Sequence, residues 1–389
     1  MRTAFTDLVG VPHPIVGLNR SPGVVAAVTN AGGFGVLAAS AYTPAELDAQ
    51  LTWIEERTGG KPYGVDLLVP EKFATGVGSG ETSRAPGDLV ASLRAQIPAG
   101  HLAFVRDLLD RYGIPEAAPI AEHDEIAASL NPAGAAALLD VAFRHPITLI
   151  ANALGPPPPG LVDRARKQGV AVAALVGQPR HAVRQIEAGV DLLIAQGTEA
   201  GGHTGTIATM VLTPEIVGIA AGRPVLAAGG IASGPQMAAA LALGAAGVWC
   251  GSVWLSSEED VANQAIKAKF LRATSSDTVR SPTRTGKPAR QLRSAWHEEW
   301  ERPGSPGPLP MPLQPMLVNE AWQRIDAAAR AGHEGALRLE SFFVGQVVGS
   351  FTELRPAGEI TRQIVADCER RIAELAGLAQ AKPEPEGRS

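Results

Sequence analysis

The sequence predicts an α/β protein built as a closed (β/α)8 barrel, on three observations. Eight short apolar runs suit buried strands, helical stretches separate them, and glycine or proline punctuates the joints at regular intervals. Continuous apolar strands alternating with helices mark a parallel sheet covered on both faces, and eight such units close a barrel. The rival is an open doubly wound sheet, which wants a Gly-x-Gly-x-x-Gly turn after the first strand. Gly17–Gly23 does not supply one.

Taken in order, the first strand is expected at Pro14–Leu18, and Ser21-Pro22 then opens a helix with a hydroxyl cap before a proline at the first helical position. The second strand, Gly35–Ala38, leads to Thr43-Pro44, where Glu46 completes a capping box. Tyr63–Val69 is the third strand. Glu71–His145 is too long for a simple connection and reads as an insertion of helices and loop near the active face. Thr148–Ala151, Ala171–Val176 and Asp191–Ala195 follow as strands, with helices at Gly160–Gln168 and Arg180–Ala188. Pro214–Ala221 and Pro235–Leu243 are the last barrel helices, around the strands Pro224–Ala227 and Gly247–Cys250. Ile231–Ser257 carries no charge and is long enough to raise a membrane span, but Pro235, Gly244, Gly247 and Gly251 divide it into a helix and a strand.

The expected domains are a barrel over 1–257, interrupted at about 71–145, and a second, smaller helical subdomain over 258–340 that covers the barrel mouth as a substrate lid. Within it Asp277–Pro315 is rich in proline, glycine and arginine. Residues 341–380 return to the barrel, and 381–389 form a disordered tail.

Apolar residues make up 45% of 389, and 34 basic against 39 acidic residues give a net charge of −5. That balance argues against a nucleic-acid partner or an anionic membrane surface. Two cysteines, Cys250 in an apolar run and Cys368, make no disulfide framework, and Met1–Gly10 lacks an apolar signal core, so a cytoplasmic protein is expected. No Cys/His spacing fits zinc, and neither a Gly-x-Ser-x-Gly elbow nor a P-loop is present.

The chemistry concentrates in Ala195–Gly205, where a strand empties into a loop with four glycines, Glu199 and His203. Glycine admits a flat or anionic ligand close to the backbone, and a histidine there can move a proton near neutral pH. Glu199 has two roles open to it, orienting His203 or capping the loop. Gly229 and Gly230 after the seventh strand, with Gly251 and Ser252 after the eighth, lie where barrels hold a phosphate on backbone N–H groups and a helix start. The alternative is that these glycines only permit tight turns. His13 and His145 precede prolines at the opposite end of the barrel and read as structural. His101, His123, His181, His297 and His333 read as surface residues.

These segments resemble the nitronate monooxygenase family, formerly 2-nitropropane dioxygenases, and the related FMN-dependent enoyl reductases. The residues that carry the resemblance are Asn30–Gly35, Lys61–Pro70, Gln196–Gly205, Ala227–Ile231, Gly247–Leu255 and Gly345–Gly349. The resemblance implies a TIM barrel that binds FMN without a covalent link. It places Gln196 and Gly201 against the flavin, and Gly230, Trp249, Cys250, Gly251 and Ser252 around the phosphate and ribityl chain, with Gly229 alongside. Asp66 joins the cofactor-binding residues, and His203 is the base. It also implies a small-molecule substrate, a nitronate or an unsaturated thioester, with O2 or NAD(P)H as co-substrate, and a homodimer.

The chain departs from the family in three places. Gly17-Leu18-Asn19-Arg20 stands where a Gln-x-Pro-Met-like segment is usual, Asp66 replaces an Asn, and Asn152 follows the fourth strand. Arg20 is expected near the flavin or substrate, partly balancing Asp66. Arg280, Arg284, Lys287, Arg290 and Arg293 form either a solvated loop or a basic entrance for a CoA or carrier-protein thioester. Two further functions compete with nitronate oxidation and thioester or quinone reduction: a flavin-binding module without turnover, and a phosphosugar barrel enzyme without flavin.

Overall fold

The computed structural model describes residues 1–68, 91–116, 132–153, 155–158 and 160–380. Its strands in chain order are β1 (Ile15–Asn19), β2 (Phe34–Ala38), β3 (Gly64–Asp66), β4 (Leu149–Asn152), β5 (Ala171–Val176), β6 (Leu192–Gln196), β7 (Gly202–His203), β8 (Val225–Ala228), β9 (Gly247–Cys250), β10 (Thr278–Ser281) and β11 (Ala289–Leu292). All except β7, β10 and β11 pair in parallel into one closed barrel, sealed where Val16 of β1 meets Trp249 of β9. This is the predicted (β/α)8 fold. Each expected barrel strand overlaps an observed one. The expected Tyr63–Val69 shortens to three residues and its last residue lies outside the described ones.

Strand alternation sets the two faces of the barrel wall. Val16, Val36, Ala151, Ile194, Ala228 and Trp249 point inward and fill the barrel. Leu37, Val65, Val172 and Leu193 point outward to the helices. Local sequence rules account for the helix starts. Thr43 and Glu46 make the expected reciprocal box at the helix Pro44–Thr58, and Gly59 closes that helix in the left-handed conformation at φ 62°. Ser21 precedes its helix as expected, but its hydroxyl instead accepts from Val261 N at 2.9 Å.

One helix boundary departs from expectation. The helix expected to open at Pro214 runs from Thr209 to Ile219 with Pro214 inside it. The reason is a cap from ten residues upstream: Thr209 N donates to both Glu199 carboxylate oxygens, at 3.1 and 3.0 Å. Ile231–Ser257 resolves into the helix Gly234–Ala242 and β9, and among the described residues no helix is long and apolar enough to cross a membrane.

A separate apolar cluster lies away from the barrel. Phe104, Leu108 and Leu109 of the helix Ala99–Arg111 pack with Trp296, Trp300 and Trp322. The helix Pro132–Ala142, by contrast, contributes Ala135, Leu138 and Leu139 to the barrel's own outer core. So the insertion expected over 71–145 is not one unit: its described parts go to two different cores. Residues 69–90, 117–131 and the expected tail 381–389 lie outside the described residues, and His123 with them. Cys250 and Cys368 are both free and buried.

Candidate active site

The carboxyl ends of the barrel strands present a layer of inward-facing side chains. Asp66 pairs with Ala151, Gln196 with Ala228, and Ala228 with Trp249. Parallel partners share a face, so Asp66 and Gln196 point inward with Ala151, Ala228 and Trp249. Burial raises the Asp66 carboxyl to about 7, and burial is its sole cause. Asp66 Oδ1 and Trp249 Nε1 are both buried with no hydrogen-bond partner among the described residues. Polar atoms left this way at the floor of an open-ended barrel suit a polar, planar ligand.

Above this layer, loops from distant parts of the chain close on one another. Gly229 and Gly230 take positive φ of 98° and 70°, which only glycine tolerates readily. A Cβ on Gly201 would lie 2.8 Å from the Val344 carbonyl carbon, so this glycine lets the backbone at 344–345 cross directly over the loop. Gly345 N then donates to Ser252 Oγ at 2.8 Å, and Gln346 N to the Glu199 carbonyl at 2.9 Å. Ser252 opens a 3-10 turn over Ser252–Ser256 whose first residues have no side-chain cap. Hence Gly201, Gly229, Gly230, Gly251 and Ser252, far apart in sequence, meet around one rim. Cys250 does not contribute its side chain. It faces the outer core, where burial pushes its thiol up to about 12, and only its backbone is left for the site.

His203 lies on β7, and strands from the segment expected to be a lid support it. Strands β10 and β11 form an antiparallel hairpin, and Ala289 of β11 pairs with His203. The Thr285 hydroxyl donates to the Lys287 carbonyl at 3.0 Å and lies 2.8 Å from His203 Nε2. The contact holds the ring by its Nε2 edge, with Nδ1 on the other edge of the ring. Desolvation in the concave site, followed by the positive charge of Lys287, lowers the imidazole below its ordinary value although its ring is accessible. The ring tilts toward Phe343 with centroids 6.4 Å apart.

One open alternative about these residues is decided, and one expectation needs correction. Of the two roles left open for Glu199, the structure selects the cap: its carboxylate binds Thr209, whose hydroxyl also lies 2.9 Å from the Gly229 carbonyl. Arg20 does not balance Asp66. It sits over Phe342 at 4.8 Å, and no ion pair joins it to Asp66 among the described residues. The other two departures from the family pattern are structural. Asn19 donates to Asp260 at 2.8 Å and accepts from Ser21 N at 2.7 Å, while Asn152 donates to the Gly155 carbonyl at 3.2 Å.

The basic segment divides, with Lys287 and Arg293 exposed and Arg280 and Arg290 engaged by the protein. Arg280 and Arg290 donate to the carbonyls of Thr204 and Thr198, so they clamp the histidine loop, and Arg293 pairs with Glu301 at 2.6 Å. Sequence reasoning missed Thr285, Phe342, Phe343 and these clamps; the single cue was the Gly345–Gly349 motif. It also misplaced His297, which is fully buried, accepts from Ser294 N, and is pushed down to about 4 by burial. His145, expected to be structural, lies between Glu55 at 2.5 Å and Asp48 at 3.2 Å.

Known proteins share this arrangement across nearly the whole chain. The family model described as nitronate monooxygenase matches residues 2–79 and 114–367. A Mycobacterium tuberculosis protein, named by inference as a monooxygenase, is 54% identical over 382 residues, 98% of this chain and 100% of that one. The Rhodococcus jostii 5-hydroxy-7a-methyl-1-oxo-octahydro-1H-indene-4-carboxyl-CoA dehydrogenase is 29% identical over 412 residues, 97% of this chain and 99% of its own. The structure of a nitroalkane oxidase from Streptomyces ansochromogenes superposes with a TM-score of 0.75 at 26% identity, covering 96% of this chain and all of that one. With its eight-stranded barrel and the glycine–histidine loop at the rim, this chain belongs to the nitronate monooxygenase family and is an oxidoreductase.

Proposed function

We propose that the protein is an FMN-dependent enzyme that oxidises alkyl nitronates with O2, with His203 as the base. The observation that carries this reading is the imidazole itself: held by its Nε2 edge on Thr285 at the rim of the strand ends, and depressed below its ordinary value by desolvation. A neutral nitroalkane must lose a proton before it can be oxidised, and the imidazole can take it. A preformed nitronate needs no such step.

The residues present fit FMN. Asp66 and Trp249 offer unpartnered polar atoms on a floor they share with Gln196, suited to a flat ring, and Gly201 keeps the loop above it clear of side chains. Gly229, Gly230, Gly251 and the uncapped turn at Ser252 would hold the phosphate through N–H groups rather than basic side chains. When bound, FMN supplies the redox chemistry. The chain's own part is to hold the substrate and move its proton through His203.

One observation favours a second reading, NAD(P)H-dependent reduction of an enoyl thioester or quinone: the Rhodococcus jostii relative is named for a CoA thioester. Anaerobic mixing of the yellow holoprotein separates the two. Bleaching by alkyl nitronates with little response to NADH or NADPH supports nitronate oxidation, and rapid bleaching by NAD(P)H alone overturns it. A colourless protein unable to take up FMN would overturn both.

A further inference from the structure

The imidazole of His203 is held from two directions by consecutive residues of the turn between β10 and β11. Thr285 meets its edge, with Oγ1 2.8 Å from Nε2. Arg284, the residue before it, reaches the face through an intermediary. Its guanidinium lies over Trp322 at 4.0 Å and over Phe343 at 4.9 Å, and the Phe343 ring lies 6.4 Å from the imidazole, tilted 34° to it. Trp322 in turn packs 4.8 Å from Trp296 inside the tryptophan-rich cluster. A run of rings joined by one planar cation therefore leads from that cluster to the histidine.

The turn that carries both residues is itself fixed. Gln314, fully buried, donates to the Thr283 carbonyl at 2.6 Å, and Gly286 N donates to the Pro282 carbonyl at 2.7 Å. A Cβ on Gly286 would lie 2.2 Å from Met311 N, so the turn packs directly on that backbone. Burial, then the like charge of Arg20, presses Arg284 down to about 10 against the pull of Asp326, which leaves it cationic at neutral pH. A flat cation stacks on aromatic faces as a compact ammonium cannot. Phe343 is half-buried, belongs to the segment that crosses Gly201, and bridges to Gln291 of β11. Arg284 backs its ring and also donates to the neighbouring Ser341 carbonyl at a long 3.4 Å.

We propose that Arg284 is a positioning residue for His203: stacked on Trp322, it holds Phe343 as a wall beside the imidazole while Thr285 holds the ring's edge. The wall keeps the ring in one orientation and keeps water from that side. Desolvation is the first cause of the lowered histidine value, so thinning the wall lets that value rise. The other charged groups around the ring are Lys287 on the same turn, Arg280 and Arg290 on the hairpin, and Glu199 in its own loop. The last three are tied to Thr204, Thr198 and Thr209, and the stack can be altered without touching any of them. The proposal rests on the reading of His203 as the base, but the ring's titration is measured without turnover and stands or falls separately from nitronate oxidation.

The test is a nuclear magnetic resonance titration of the holoprotein with isotope-labelled histidine rings, the His203 signal being assigned by its loss in His203→Asn. Arg284→Met should raise the His203 midpoint by about half a pH unit or more and broaden its signal. Phe343→Leu should do the same, and the double variant should add nothing, as two parts of one support would. Arg284→Lys keeps the charge without the flat stack, so it should behave like the methionine variant. Flavin content should be unchanged throughout. An unmoved midpoint in Arg284→Met overturns the proposal, as do fully additive shifts in the double variant. A lysine variant that matches the unsubstituted protein assigns the effect to charge and overturns it. Loss of flavin in step with the substitutions assigns the arginine to the cofactor and overturns it too. If Arg284→Met fails to fold, Phe343→Leu and Trp322→Phe decide. The first should shift the midpoint and the second, which keeps a ring under the guanidinium, should not; any other result overturns the proposal.

Discussion

At the scale of single residues, the site is governed by two groups displaced from their ordinary protonation. His203 is pushed below the ordinary histidine value by desolvation and then by Lys287, so its basic form persists to lower pH. The rate on a neutral nitroalkane should therefore fall on the acid side only below about pH 6.5. Lys287→Met removes one of the two causes and should move that acid limb upward, as a pH–rate profile would register. His203→Asn should slow the neutral nitroalkane by about 10²–10⁴-fold and spare a preformed nitronate; equal losses on both would remove the base from the mechanism. Asp66 is displaced the other way. Its folded value of about 7 exceeds the ~3.9 of an unfolded aspartate, so the folded chain keeps a proton that the unfolded chain releases between those limits. Stability contributed by this group is present at low pH, declines through that window and is level above it. Asp66→Asn mimics the protonated acid. It should raise the melting temperature by ~2–5 °C at pH 8 and change it little at pH 4, as thermal scans at the two pH values would show.

At the scale of elements, the histidine loop is held by parts of the chain that arrive from far along the sequence. Gly201 is where the backbone crosses the loop closely, and Gly201→Ala would drive a Cβ into the backbone at 344–345. Backbone has no rotamer to yield, so the crossing segment must shift. We expect that variant to lose most of its flavin while keeping its far-ultraviolet spectrum; full flavin retention would show that the crossing does not shape the cofactor site. The barrel strands and the Thr43–Glu46 cap were legible in the sequence because burial on both faces produces apolar runs and because capping is chemistry within four residues. The glycine rim was legible for a similar reason, since close approach admits few other residues. The support for His203 was not. Strands β10 and β11 are four residues each in a proline- and glycine-rich stretch, and the pairing of β11 with β7 spans more than 80 residues of chain. No local periodicity encodes such pairing. The Thr209 helix start was hidden likewise, because its cap is ten residues away on Glu199.

At the scale of the whole molecule, the described residues hold a barrel core and a tryptophan-rich cluster beside it. Trp296 is fully buried there, its ring tilted against Trp322 at 4.8 Å and Trp300 at 5.9 Å between centroids. Trp296→Ala should cost about 3–5 kcal/mol. Hydrogen exchange should quicken in residues 97–114 and 295–339 before it does in the barrel strands; uniform quickening would mean that the two cores unfold as one. The outer flank of the barrel is covered by the last described helix. The helix Ala357–Gln380 brings Asp367 against Gly234 and Gly358 against the Ala27 carbonyl, and Met1 lies 3.8 Å from Glu369. The first βα unit thus shares its outer core with the last, through Val24, Val28, Met237 and Ile364. On the ribosome, that first unit emerges with neither its neighbour β9 nor its covering helix yet made. Both lie more than 200 residues further along the chain, so during synthesis this βα unit waits with bare apolar flanks for partners made much later, and a product truncated before them would be a ready target for chaperones.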